Sequence, residues 1–159
     1  MTVKELLSQA AVQERLSDSL ETGYNMDELV AYLNDAVNFI WHVLIAHKYY
    51  EVLGDITLTA AETPLPDDLY KITNQAPVII QDKKLKCYGA LPQTLRYYKE
   101  TPLLKDENSD IPLENWGLLD LATQIMIILA MSNHGFDMQT ESDFAQAIVT
   151  GKQIGRAHV

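Results

Sequence analysis

The residues that could carry acid–base or metal chemistry are four histidines, one cysteine and an excess of carboxylates. His42 and His47 are five residues apart, so they do not share a helix face as the i, i+4 histidines of a zinc-binding helix do. His134 stands beside Gly135 in a helix-stop pattern, and His158 lies close to the end of the chain. We therefore expect no metal and no cofactor. An enzyme or metalloprotein that uses His42, His47 or His134 with nearby carboxylates is an alternative, which elemental analysis for zinc or iron would test.

Nucleophilic and nucleotide-binding motifs are also missing from the sequence. Cys87 lies in a predicted strand without neighbours that would activate a thiol, and a single cysteine cannot form an intramolecular disulfide, which fits a reducing compartment. No serine lies in a GxSxG setting, and no GxGxxG or GxxxxGK[ST] loop occurs. Asp67-Asp68 and the pair Glu107 and Asp110 suit a helix start and a loop better than an acid–base pair. The sequence therefore predicts a protein that is not an enzyme.

The overall charge and hydrophobicity of the chain limit the classes of partner that it can bind. Among 159 residues, 12 are Lys or Arg and 22 are Asp or Glu, which gives a formal charge of −10. This balance argues against tight binding to a phosphate backbone, but it suits a protein that DNA passes without adhering. The hydrophobic share of 47% is typical of a globular domain. The longest apolar run, Ile125–Met131, is far shorter than the roughly 20 residues that span a bilayer, so no membrane partner is expected.

Periodicity predicts two long helices and two short ones. The first short helix begins at Thr2, with Glu5 three residues later as in a capping box. A long helix over Met26–Lys48 is capped by Asn25, since its apolar residues recur every three or four positions. A second long helix over Leu113–Asn133 is apolar almost all round. The last short helix is expected over Thr140–Thr150.

The region between the long helices predicts a small β element. Asp55–Thr59 alternates polar with apolar residues, and two short strands over Val78–Gln81 and Lys84–Tyr88 meet near Asp82-Lys83. We expect a short helix after Pro66 and another over Thr94–Lys99. The fold class is thus mainly α with a small antiparallel β element (α+β), in which long amphipathic helices pack with a short hairpin or sheet. Residues 1–150 are expected to form a single helical domain, followed by a tail over residues 151–159.

The helix over Leu113–Asn133 has a wider apolar arc than one other long helix can cover. Part of that surface can go to the sheet and to the first helix, and the rest is expected to meet another subunit, because large apolar patches rarely stay exposed to water. We assign to this candidate subunit interface Trp116, Ile127 and Met131.

Lys83, Lys84 and Lys86 form the only dense cationic cluster in the sequence. Three lysines at a hairpin tip are usually a solvated turn. In an acidic protein, however, such a tip also suits electrostatic contact with an acidic partner. The three lysines are therefore a candidate partner-contact hairpin.

The order of the elements resembles that of a known family. The long helix contains Tyr32-Leu33-Asn34-Asp35-Ala36, and an alternating strand and Pro64-Leu65-Pro66-Asp67-Asp68-Leu69 follow it. A small sheet and a terminal helical region come later. Over roughly residues 3–150 the chain resembles the head-to-tail adaptor (connector) proteins of tailed bacteriophages.

This resemblance implies a structural virion protein, made in the host cytoplasm and located in the neck of the particle. Its partners would be further copies of itself in a ring, commonly twelve-fold, together with the portal protein and tail or neck proteins. Genomic DNA would pass through the ring during ejection without sequence-specific binding. Such proteins are not enzymes. The alternative is a small acidic helical protein-binding module, such as a dimeric regulator or chaperone.

Residues 154–159, Ile-Gly-Arg-Ala-His-Val, are what one reading frame of a common sequencing-library adapter would encode. They are either an artefact of that origin or a natural tail. In both cases they are left out of the functional interpretation.

Overall fold

The computed structural model of the chain describes residues 1–19, 25–132, 143 and 145–149, without the side chains of residues 17–19 and 132. The chain divides into two compact units. The helical unit consists of Met1–His47 and Pro102–Val159, and the β unit consists of Lys48–Thr101. In the sequence, the β unit is thus an insertion between the segments that form the two long helices. Helices together with small antiparallel sheets confirm the predicted α+β fold class.

Two short helices open the helical unit, α1 over Val3–Leu7 and α2 over Ala10–Ser19. The Thr2 hydroxyl accepts a hydrogen bond from the backbone N–H of Glu5 at 3.1 Å, which confirms the predicted cap. The buried side chains of this pair are Val3, Leu6, Leu7, Val12 and Leu16.

The longest helix, α3, runs over Met26–Ala46. The Asn25 side chain caps it by accepting the Glu28 N–H at 2.8 Å, as the sequence predicts. Its buried side chains recur at helical spacing and form one face: Leu29, Val30, Leu33, Ala36, Val37, Ile40, Trp41 and Leu44. By length and composition α3 is also apolar enough to cross a membrane. A one-sided buried stripe of this kind is the usual pattern of a core helix.

The second long helix, α4, spans Trp116–Ser132 and packs against α3. The Asn115 side chain accepts the backbone N–H groups of Gly117 at 2.8 Å and Leu118 at 3.2 Å, which fixes the helix start. Among the described side chains of α4, residues 116–131, nine are buried, namely Leu118, Leu119, Ala122, Thr123, Ile125, Met126, Ile127, Leu129 and Ala130.

A further helical stretch covers residues 145–149, where Ile148 is fully buried. It lies within the predicted helix over Thr140–Thr150, whose two ends fall outside the described residues. The predicted stop at Asn133–Gly135 and residues 154–159 also lie outside them.

The first sheet of the β unit has β6 (Gln93–Lys99) between β1 (Leu53–Leu58) and β3 (Leu69–Ile72), all antiparallel. The predicted strand at Asp55–Thr59 is confirmed as β1. The helix predicted over Thr94–Lys99 is wrong, because this segment is strand β6. Leu95 and Tyr97 are buried whereas Thr94 and Arg96 are exposed, which is the two-residue period of a strand.

The second sheet has β5 (Lys84–Cys87) between β2 (Glu62–Pro64) and β4 (Val78–Gln81). The predicted hairpin is confirmed, with Asp82-Lys83 as its two-residue turn.

The helix predicted after Pro66 is wrong. Leu69 N–H donates to the Pro66 carbonyl at 3.2 Å, so Asp67-Asp68 form a tight turn into β3 instead. A chain that reverses here can pair β3 with β6, which a helix at the same place would prevent.

The β unit has a core of its own. Leu58, Leu85 and Leu95 come from both sheets and are each at most 1% exposed. Half-buried residues around them include Leu65 of the proline-rich motif. Because this segment buries its own apolar side chains and pairs its own strands, the single domain expected over residues 1–150 divides into two units.

Candidate interaction surfaces

The three residues predicted at a subunit interface are placed differently by the structure. Trp116 and Met131 are 72% and 55% exposed, so they are available for contact. Ile127 is only 4% exposed, so its assignment to the interface is wrong. It lies one helical turn from Thr123 and Ala130, both buried, and therefore faces the interior of the helical unit. The chain itself covers most of the wide apolar arc of α4.

A narrow part of that arc stays open. Gly117, Leu121, Gln124, Ile128 and Met131 follow one another at steps of four, three, four and three residues, and each is exposed or half-buried. We call these five residues the α4 strip. Steps of this kind keep side chains on one side of a helix and are the spacing of a coiled-coil seam. Because its sequence contains a single charged residue, Asp120, α4 can approach another protein surface with little desolvation cost.

Beside the strip lies a groove between the first two helices and α4. Leu6, Val12 and Arg15 line one wall, while Trp116 and Asp120 line the other. Its volume of about 140 Å³ is well below the ~300 Å³ of the smaller ligand pockets. The groove therefore suits a single inserted side chain better than a small-molecule ligand.

Two of the three lysines in the predicted cluster form ion pairs with neighbouring acids. Lys84 Nζ lies 3.6 Å from Glu62, and Lys86 Nζ lies 3.9 Å from both Glu62 and Asp82. These pairs are long, and their acids are exposed while Lys86 is half-buried, so each pair contributes at most about 1 kcal/mol and can exchange with another acid. Lys83 is exposed at the tip of the turn. The hairpin remains a candidate contact for an acidic partner.

The residues considered for metal or nucleophilic chemistry do not come together in the described part of the chain. His42 and His47 are exposed, on α3 and at its C-terminal cap. Cys87 is half-buried, with Sγ 3.8 Å from the Gly89 carbonyl oxygen. Across residues 1–19, 25–132, 143 and 145–149, no three His, Cys, Asp or Glu side chains are grouped to hold a metal ion.

Asn34 and Asp68 belong to the two motifs that carry the family resemblance, and both have structural roles that the sequence did not predict. The Asn34 side chain donates to the Leu104 carbonyl at 2.7 Å and accepts the Leu104 N–H at 2.8 Å, so it ties the returning chain to α3. Asp68 accepts a hydrogen bond from the Tyr97 hydroxyl at 2.9 Å. Asn34 was visible in the sequence as an amide inside a helix, where such a residue is unfavourable unless it bonds elsewhere.

Tyr97 is the one described group whose pKa clearly departs from its ordinary value. Burial raises the pKa of Tyr97, and the hydrogen bond to Asp68 and the charges of Asp68 and Asp55 raise it further. The ring also fills the space above Gly54, where a Cβ would lie 2.9 Å from the ring carbon Cζ. A side chain at position 54 would therefore require the Tyr97 ring to move.

Charge is divided unevenly between the two units. The β unit contains seven Lys or Arg and seven Asp or Glu, so its formal charge is zero. The helical unit contains five Lys or Arg and 15 Asp or Glu and carries the full −10. The acidic character of the chain is therefore a property of the helical unit alone.

Comparison of the chain with protein-family models and with curated proteins finds no match.

Proposed function

We propose that the chain is a structural protein of a bacteriophage virion, a head-to-tail adaptor that forms a ring between portal and tail and lines the DNA exit channel. The observation that carries the proposal is the α4 strip, which is mainly apolar and is left open by the folding of a single chain. Open apolar surface favours association. In a head-to-tail ring the strip of each copy meets a different surface of the next copy, so a closed assembly covers all the strips. The order of elements supports the same family resemblance.

The division of charge supports a role beside DNA. A channel wall built from an acidic surface repels phosphates and lets a duplex slide, whereas a basic wall would hold it. The helical unit, with its charge of −10, fits such a wall. The neutral β unit is free of that repulsion and fits contact with neighbouring neck proteins.

The test is assembly on purified portal, followed by mass photometry and electron microscopy. We expect ring-shaped particles of the chain bound to portal. Portal must be present because assembly can require it as a template. A chain that stays monomeric at high concentration and ignores portal would overturn the proposal.

The spacing of the α4 strip favours one second candidate. Two heptads of such a seam also fit a single partner helix, as in a small acidic helical protein-binding module that acts as a dimeric regulator or chaperone. A stable closed dimer of fixed stoichiometry, unaffected by portal, would favour this candidate over the ring.

A further inference from the structure

The outer edge of β4 carries backbone groups without partners in the sheet. The Cys87 N–H of β5 donates to the Ala61 carbonyl at 2.8 Å, and the carbonyl of Lys83, just before β5, accepts the Leu65 N–H at 3.2 Å. Both bonds run towards β2, so the odd-numbered residues of β5 bond to β2 and its even-numbered residues bond to β4. This alternation, in which successive residues of a central strand bond to opposite neighbours, is the normal pattern of antiparallel sheets.

The same alternation determines which residues of β4 direct their backbone N–H and C=O groups away from β5. Ile79 lies opposite Lys86, and Gln81 lies opposite Lys84. These two residues of β4 therefore use their N–H and C=O groups to bond to β5. Ile80 lies between them, so its N–H and C=O point away from β5 to the open edge.

The edge of β4 differs from the other edges that the described strands provide. Natural sheets protect their edges with charges, prolines and bulges. Strand β2 contains Glu62 and Pro64, β1 contains Asp55, and β3 contains Lys71 next to a register shift. The sequence of β4 is Val-Ile-Ile-Gln, with neither charge nor proline. An edge of this kind is a template for another strand.

The two faces of β4 have different chemistry. Ile80 lies opposite the buried Leu85, so it continues the core layer of the β unit, but it is 50% exposed. Ile79 points to the opposite face, which it shares with Lys84 and Lys86. A strand added beyond β4 would thus find an apolar surface on one side. On the other side it would find Lys84 and Lys86, whose present partners are the exposed Glu62 and, for Lys86, also Asp82 and the Gln81 side chain.

We propose that the β4 edge binds an extended segment of a partner protein by strand addition, and that this segment alternates apolar with acidic residues. Its apolar side chains pack beside Ile80, and its carboxylates lie on the face of Lys84 and Lys86, with Lys83 at the tip. A second copy of β4 is a poorer occupant, because antiparallel pairing of two identical strands would place lysine face beside lysine face. The proposal goes beyond the adaptor function and does not depend on it.

The first experiment uses a synthetic eight-residue peptide with blocked ends that alternates valine or isoleucine with glutamate. We expect it to bind the full chain in a fluorescence-anisotropy titration, and to slow amide hydrogen exchange at Ile80 more than at the other strand edges. A peptide with lysine in place of glutamate is the control and should bind at least about fivefold more weakly. No binding of the acidic peptide up to about 1 mM, or equal binding of both peptides, would overturn the proposal.

A pair of variants at one position separates the backbone from the side chain. Ile80→Pro removes the outward N–H, which the native sheet does not use, and should weaken binding about tenfold. Ile80→Thr keeps that N–H and a β-branched side chain, and should stay within about threefold of the original chain. Unchanged binding by Ile80→Pro would overturn strand addition.

Circular dichroism shows whether each variant folds. If Ile80→Pro does not fold, exchange protection at Ile80 in the unsubstituted chain decides the matter, since protection at another edge would equally overturn the proposal. Protection at Ile80 that rises with protein concentration and needs no peptide would show that a second copy is the occupant, which also contradicts it.

Discussion

At the residue scale, single polar side chains hold segments that have no regular structure of their own. Asn34 is the clearest case, because its amide satisfies both backbone groups of Leu104 across 70 residues of sequence. Both residues belong to the helical unit, and Leu104 is 2% exposed. A backbone N–H and C=O at such a site have no easy access to water if the amide is lost.

We expect Asn34→Ala to lower the free energy of unfolding by about 1–3 kcal/mol, since it leaves the Leu104 groups without partners. Urea unfolding followed by circular dichroism measures the change. Asp35→Ala, at the exposed neighbouring position, is the control and should change stability by no more than about 0.5 kcal/mol. Equal effects of the two substitutions would contradict the role of Asn34.

Ionisation of Tyr97 is expected to lower the stability of the β unit at alkaline pH. Its pKa is raised in the folded chain, so the neutral phenol is favoured by folding. The corresponding stabilisation is complete below the pKa of an unfolded tyrosine, about 10, and is lost as the pH rises through the higher folded value. We expect stability to fall above about pH 10, and less steeply in Tyr97→Phe.

The ultraviolet absorbance of tyrosinate measures this ionisation. The chain has eight tyrosines, so the signal of Tyr97 is the difference between the original chain and Tyr97→Phe. That difference should titrate above the ordinary tyrosine value, and Asp68→Asn should lower its midpoint because the carboxylate charge is removed. A difference that titrates at the ordinary value would show that the Asp68 contact does not act in solution.

At the element scale, the β4–β5 turn has a backbone conformation that aspartate tolerates but lysine does not favour. Asp82 and Lys83 have φ angles of 53° and 59°, the left-handed region that a two-residue hairpin turn of type I′ requires. Glycine takes this conformation readily, whereas other L residues pay roughly 1–2 kcal/mol. The hairpin nevertheless forms, because burial of Leu85 in the core of the β unit offsets this cost.

We expect Lys83→Gly to raise the free energy of unfolding by up to about 1 kcal/mol, because it relieves this conformational cost. Lys83→Ala removes the same charge but keeps a Cβ, so it should not stabilise the chain. Thermal unfolding of the two variants side by side gives the comparison. Equal stabilisation by both would assign the effect to the lost charge instead of the backbone.

The long helices, strand β1 and the β4–β5 hairpin were predictable from local patterns in the sequence, whereas strand β6 was not. The caps Thr2 and Asn25 and the stripe of α3 are local signals, so both helix starts were correct. Strand β6 was predicted as a helix because a few residues of alternation in Gln93–Lys99 also fit one helical turn. Its partners β1 and β3 lie far away in sequence. For the same reason the burial of Ile127 and the open edge of β4 could not be predicted.

At the scale of the whole molecule, we expect a negative charge to disrupt assembly when it is added to the α4 strip but not when it is added elsewhere. If the α4 strip forms the contact between copies, Ile128→Glu should abolish assembly on portal, because it places a charge in the middle of an apolar seam. Ala31→Glu adds the same charge at an exposed position of α3 and should leave assembly intact. Mass photometry with portal measures both variants. Rings formed by Ile128→Glu would show that another surface makes the contact.

The pairing of β1 with β6 has a consequence for how the chain folds. Leu53 lies opposite Tyr98, so the first and last strands of the inserted segment are neighbours. Once they pair, most of the loop of more than 60 residues between α3 and α4 is closed by contacts within the β unit, and the entropy lost in joining the two helices is correspondingly smaller. We therefore expect the insertion to fold early and to accelerate the docking of α4 on α3, so that weakening β1–β6 pairing slows the folding of helices that it does not belong to.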